Sequence, residues 1–137
     1  MPQARVSRIN VTPVKSFRLH HPDSVELGPD GARDDRRFLL VDDGRRLYNG
    51  KRDGRLTQIR ADWDESSRFL RLVFPDGSSA DGTVQPEAAS RQVEGPWADA
   101  LSGFIGRRLE LWWSDEPRGD RRSRNGGASF VSTASLE

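Results

Sequence analysis

The segment "FLLVDDGRRLY", Phe38 to Tyr48, runs as four apolar residues, then Asp42-Asp43-Gly44, then a short piece ending in Leu47 and Tyr48. An Asp-Gly pair between apolar pieces is a hairpin signal, because glycine accepts the positive φ that a tight connection needs. The segment therefore predicts two paired antiparallel strands. The same pattern of short apolar pieces between turn residues continues on both sides of it.

Toward the N-terminus, Arg5 to Val14 carries Val6, Ile9, Val11 and Val14, a β-branched set that predicts a strand ending at Pro13. In "SVEL", Val25 and Leu27 fall on one face, and "GPDG" follows as a turn. Toward the C-terminus come Leu56, Ile59 and Trp63, then "RFLRLVF", in which Leu70, Leu72 and Phe74 alternate ahead of the turn "PDGSS". A return strand is expected through "GTVQP", and another through "RQVEG".

One stretch has helical spacing. Pro96 suits a first turn, Trp97, Leu101, Phe104 and Ile105 recur along one face, and Gly106 stands where a glycine ends a helix. Leu109, Leu111 and Trp113 then alternate as a strand, with Trp112 on the opposite face and available to cover an interface. The expected architecture is mainly β: a small barrel-like antiparallel sheet of six to eight strands with one helix at about 96–105 and no internal repeat. Residues 116–127, rich in charge, Pro and Gly without an apolar anchor, are expected to be a flexible linker or loop. Apolar character resumes at 128–137.

Composition narrows the function. A chain of 137 residues, 34% hydrophobic and 31% charged, suits one folded domain. It has no bilayer-length apolar run, and "MPQARVSRI" lacks a signal-peptide core, so no membrane partner and a cytoplasmic location are expected. Cysteine is absent, which excludes disulfides, thiolate metal ligands and cysteine nucleophiles within the chain. The net charge of +1 gives no general attraction for nucleic acid. Arg33 to Arg60, however, holds nine basic residues against five acidic ones, while Ala61 to Glu94 holds three against seven.

Catalytic groups are few. His20 and His21 are adjacent and on an extended chain point apart, so a shared metal is not expected. Neither a Ser-His-Asp spacing nor a glycine-rich phosphate loop is present. An anion-binding pattern remains: "VKS" offers an ammonium and a hydroxyl in succession, and "GARDDRRF" offers Arg36 and Arg37 at the entrance to the most apolar strand. The same residues also read as a polar turn, with Ser16 stabilising it and Arg36 paired to Asp34 or Asp35.

The ordered series "VTPVKSFR" and "SVELGPDGARDDRRFLLVDDGRRLYNGKRDGRLTQI", with "WADALSGFIGRRLEL" after it, resembles the N-terminal β-barrel domain of MOSC proteins, the molybdenum cofactor sulfurase C-terminal superfamily. That superfamily includes the mitochondrial amidoxime-reducing component and its bacterial relatives. The resemblance assigns residues 1–115 to that domain and 128–137 to the beginning of a MOSC domain cut short. It implies that Lys15, Ser16 and Arg36 grip the phosphate and pterin of the molybdenum cofactor, molybdopterin, between two domains. Pyridoxal phosphate binding is a further ligand class it brings.

The resemblance also implies partners: a MOSC domain in cis or in trans, and a redox electron donor. Asn49, Gly50 and Lys51 replace the family's Thr-x-Arg, and Gly54 its proline, so that loop departs from the pattern. The metal-ligating thiolate of the family lies in the MOSC domain, so this chain alone is expected neither to be active nor to retain the cofactor. The implied function is cofactor and substrate positioning within an oxidoreductase that reduces N-hydroxylated compounds. The alternative is a stand-alone β-barrel interaction module that binds a protein or nucleic acid through its Arg-rich face. Trp63, Trp97 and Trp113 stand in apolar-periodic segments rather than among the arginines, which disfavours nucleic acid.

Overall fold

In the computed structural model, which describes residues 3–29, 31–86 and 90–114, the apolar run of the quoted segment forms a strand buried along its whole length, Phe38–Asp42. Chain order gives β1 (Leu27–Gly28), β2 (Gly31–Ala32), β3 (Phe38–Asp42), β4 (Leu47–Tyr48), a 3-10 helix (Gly54–Gln58), β5 (Arg60–Asp64), β6 (Phe69–Val73), β7 (Ser79–Thr83), α1 (Pro96–Ile105) and β8 (Leu109–Trp113). The mainly β class with one helix is as expected. The strands fall into three antiparallel sheets, β1-β2, β4-β3-β8 and β5-β6-β7, and among the described residues they do not close into one barrel.

The β3–β4 hairpin forms where the Asp-Gly signal lies, but with a different turn. Asp42 accepts the Arg45 amide at 2.9 Å, and the left-handed residue is Arg45 (φ 58°) rather than Gly44. A three-residue connection of this kind puts its positive φ last, one position beyond the glycine. On its other edge β3 pairs with β8, Phe38 opposite Trp113 and Asp42 opposite Leu109.

In the β5-β6-β7 sheet Leu70 and Leu72 of β6 turn inward, and the β6–β7 turn is closed by Gly77 (φ 87°) and by the Asp76 carboxylate, which accepts from Ser78. The return strand is Ser79–Thr83, earlier than the "GTVQP" stretch. Of "RQVEG", Gln92 makes an isolated bridge to Trp112 and Val93 is buried.

Helix α1 spans Pro96–Ile105, with Trp97, Leu101 and Ile105 buried and Gly106 left-handed at φ 83°. Trp97 is the link between the helix and the β5-β6-β7 sheet, its indole N–H donating to the Leu70 carbonyl at 3.1 Å. A Cβ on Gly95 would stand 2.2 Å from the Trp97 ring, so only glycine admits the indole there. Phe38, Trp63 and Trp113 fill the other end of the core, with ring centroids 4.8–6.1 Å apart.

The expected N-terminal strand is reduced to two isolated bridges, Val11 with His20 and Val14 with Phe38, and Val6 is 67% exposed. Its apolar residues follow no period, so no face of the segment can be buried whole. The linker expected at 116–127 and the segment 128–137 lie outside the described residues.

Candidate functional site: the Lys15 turn beside Arg36

Residues 12–15 run alongside 36–38 as a short parallel ladder. Arg36 donates its amide to the Thr12 carbonyl, Phe38 donates to Pro13 at 2.9 Å, and Lys15 donates to Phe38 at 2.9 Å. Pro13 has no N–H and is asked only for its carbonyl, which suits proline at this position. Val14 and Phe38, the apolar partners of the ladder, are completely buried and anchor both segments to the core. The two stretches singled out in the sequence are thus neighbours through their backbones. Immediately after the ladder the chain turns, Ser16 adopting φ 75° and Phe17 donating to the Val14 carbonyl.

Each candidate side chain has a defined setting. Ser16 Oγ accepts the Gly50 amide at 2.9 Å, so the hydroxyl joins the Lys15 turn to the loop that departs from the family pattern. Arg36, itself left-handed at φ 50°, donates through Nη1 to Asp35 Oδ2 at 2.6 Å. This is one of the ion pairs the sequence allowed. A guanidinium has five N–H groups, and with 38% of its side chain exposed Arg36 is placed to present others outward. Lys15 is half-buried.

Asp35, expected from the sequence only as a partner for Arg36, makes a second contact that the sequence did not show. Only 4% exposed, it divides its carboxylate: Oδ1 accepts the Thr12 amide at 2.9 Å and Oδ2 accepts Arg36. One buried anion thereby fixes the Arg36 guanidinium and the start of the 12–15 segment together. The Asp-Arg pair was visible in the sequence, but the Thr12 contact spans 23 positions and has no local signal.

The basic stretch 33–60 is largely paired with carboxylates of the same domain, several of them outside the stretch. Arg33 pairs with Glu26, Arg37 with Glu65, Arg55 with Asp53 and Arg60 with Asp62. Asp42, buried, takes the Arg46 amide and the Arg52 guanidinium, both at 2.9 Å, and these hold its carboxyl below the usual range. Tyr48 lies between Arg52 and Arg107, whose guanidinium carbons are 4.7 and 5.2 Å from its ring centre. The fork of Arg55, assisted by the Tyr48 hydroxyl, holds Asp53 down at about 2.

Beside Arg37 sits a carboxyl pair. Burial, followed by the charge of nearby Glu65, raises the Asp34 pKa. Burial also opposes ionisation of Glu65, but the Trp63 indole N–H at 3.0 Å and the Arg37 guanidinium at 2.8 Å outweigh it and leave its pKa lowered. Of the two, Asp34 is therefore the carboxyl whose ionisation the fold opposes.

The histidines serve structure. His20 Nε2 donates to the Ala61 carbonyl at 2.6 Å, while His21 Nδ1 lies 3.2 Å from the Ile9 carbonyl, so the two rings diverge. Among the described residues no cluster of three or more His, Cys, Asp or Glu is arranged to hold a metal, and no helix is long and apolar enough to cross a membrane.

Comparison with known proteins agrees with the motif order. A search of curated proteins finds no match to the chain. The family model described as the MOSC N-terminal beta barrel domain matches residues 3–115, most of the sequence and every element of the fold. The chain therefore belongs to the MOSC N-terminal beta barrel domain family, a family commonly associated with the molybdenum cofactor.

Proposed function

We propose that this domain binds and orients the phosphate-bearing end of a molybdenum cofactor, as the N-terminal part of a MOSC oxidoreductase that reduces N-hydroxylated compounds. The observation that carries the reading is the backbone ladder between 12–15 and 36–38, which sets the Lys15 turn next to Arg36. The residues suit the group. An ammonium and a partly exposed guanidinium on adjoining, core-anchored segments match a phosphate, the guanidinium offering paired N–H donors and the ammonium a compact charge.

When bound, the cofactor supplies the redox chemistry. The work of this chain is confined to binding. Lys15 neutralises phosphate charge, Arg36 donates hydrogen bonds, and Ser16 holds the Gly50 loop beside them. With no cysteine in the chain, a thiolate ligand for the metal comes from a partner MOSC domain, in cis or in trans, and the electrons come from a separate donor. A cytoplasmic setting goes with this reading. Binding through the Arg-rich face instead is weakened by the internal ion pairs that occupy so much of it.

Titration of the chain with molybdopterin, followed by calorimetry, tests the assignment. Lys15→Glu and Arg36→Gln should each weaken binding by about tenfold or more, the loss expected for a charge-assisted contact. Unchanged affinity in variants that unfold at the wild-type temperature removes the residue from the site.

A further inference from the structure

Most guanidiniums among the described residues are committed. Among the described residues nine arginines between Arg33 and Arg107 reach carboxylates, while Arg68 and Arg91 donate to backbone carbonyls. Arg8 and Arg18 do neither among the described residues, and both line the same groove. The groove is shallow and open to solvent, with a volume of about 340 Å³; its remaining walls are Phe17, Leu19, His21 and Thr57, and no carboxylate is among them.

The fold holds these walls in place. Segment 17–21 is fastened on one side by the paired hydrogen bonds of His20 with Val11, at 2.7 and 3.1 Å. On the other side Arg18 donates its amide to Ile59 at 2.9 Å, and His20 donates to Ala61. Arg18 therefore projects from anchored backbone, while Arg8 lies three residues before the Val11–His20 bridge. The other polar groups have internal uses: Thr57 donates its hydroxyl to Gly54 at 2.8 Å, and His21 turns Nδ1 to Ile9. Leu19, 42% exposed, gives the groove an apolar wall.

We propose that this groove is a second anion site, built from residues other than Lys15, Ser16 and Arg36, and that it takes a small phosphate monoester. Two cations facing one concavity without a counter-charge favour a dianion, and planar guanidiniums match phosphate oxygens in pairs. The open groove offers Leu19 as the apolar surface on which a ring or a short chain carried by the phosphate can rest. The site does not depend on the cofactor reading above.

The experiment is calorimetric titration of the 137-residue chain with phenyl phosphate, inorganic phosphate and benzoate, at low salt in a phosphate-free buffer. Phenyl phosphate should bind most tightly, and Arg8→Gln/Arg18→Gln should weaken it by about tenfold or more. Arg5→Gln, in the same N-terminal segment, should leave it within about twofold of wild type, since an exposed charge outside the groove contributes little. Equal affinity in the double variant, an equal loss in Arg5→Gln, or benzoate binding as tightly as phenyl phosphate each overturns the proposal. Loss in Lys15→Gln alone overturns it as well while supporting the cofactor site, so the two readings fail separately. All four substituted positions are exposed or half-buried, and unfolding temperatures confirm that each variant folds.

Discussion

Arg37 donates to Glu65 at 2.8 Å, and this single pair fastens the loop ahead of β3 to the turn after β5. The Trp113 ring lies between the guanidiniums of Arg37 and Arg68, 5.5 and 5.1 Å from its centre, so charge and aromatic packing act at one junction between two sheets. Glu65→Gln should destabilise the fold by about 1–2 kcal/mol in denaturant unfolding at neutral pH, the usual cost of weakening charged hydrogen bonds.

Asp34 at the same junction has the opposite pH behaviour from an ordinary paired carboxylate. Its pKa is raised in the folded protein, so the folded state holds the proton more tightly than the unfolded chain. Its stabilising contribution is present below the unfolded pKa, near 3.9, and disappears as pH rises through the folded one. Asp34→Asn keeps the side chain uncharged at every pH. Its unfolding temperature should match wild type in acid and exceed it at neutral pH, and a variant that is less stable at neutral pH would refute this.

Asp53 supplies the conventional case. Its carboxyl is held at about 2 by Arg55, so its contribution is present above the unfolded pKa and is lost as pH falls from about 4 to about 2. Asp53→Asn should lower stability at neutral pH and flatten the acid limb of the curve. A limb as steep as that of wild type would show that other carboxylates govern it.

Asp35 should separate its two duties by substitution. Asp35→Asn keeps an oxygen for the Thr12 amide and gives up the charge on Arg36, whereas Asp35→Ala gives up both. Urea unfolding should register a loss of about 1 kcal/mol for the first and about 2–4 kcal/mol for the second. In cofactor titrations Asp35→Asn should weaken binding less than Arg36→Gln does.

At Gly95 the requirement is steric. Gly95→Ala drives a methyl into the Trp97 ring that lies over it, at a residue already at φ 154°, and should cost at least about 2 kcal/mol. Combining it with Trp97→Leu, which removes the ring, should cost less than the sum of the two single changes.

What the sequence displayed was short-range. Helix 96–105 was readable because proline, the spacing of Trp97, Leu101 and Ile105, and the final glycine all lie within one window, and the structure has it at Pro96–Ile105. The β3–β4 and β6–β7 hairpins were readable for the same reason. The pairing of β3 with β8 was not, since no turn connects them. Nor could a sequence show Ser16, Asp34, Arg36, Arg45 and Arg68 at positive φ, a conformation expected first at glycine, which here follows from contacts with distant segments. The candidate cations were visible in the order of motifs, and what brings their segments side by side is the completed ladder.

The partnership of β3 with β8 also bears on how the domain is made. Phe38 meets Trp113, so the middle strand waits for the far end of the domain before it gains a neighbour on that edge. During synthesis, β5, β6 and β7 can pair as soon as they leave the ribosome, because each joins the next through a short turn. The central sheet can close only after release of its last strand, and such long-range closure is slow. The nascent chain therefore carries the unpaired edge of Phe38 until Trp113 has emerged.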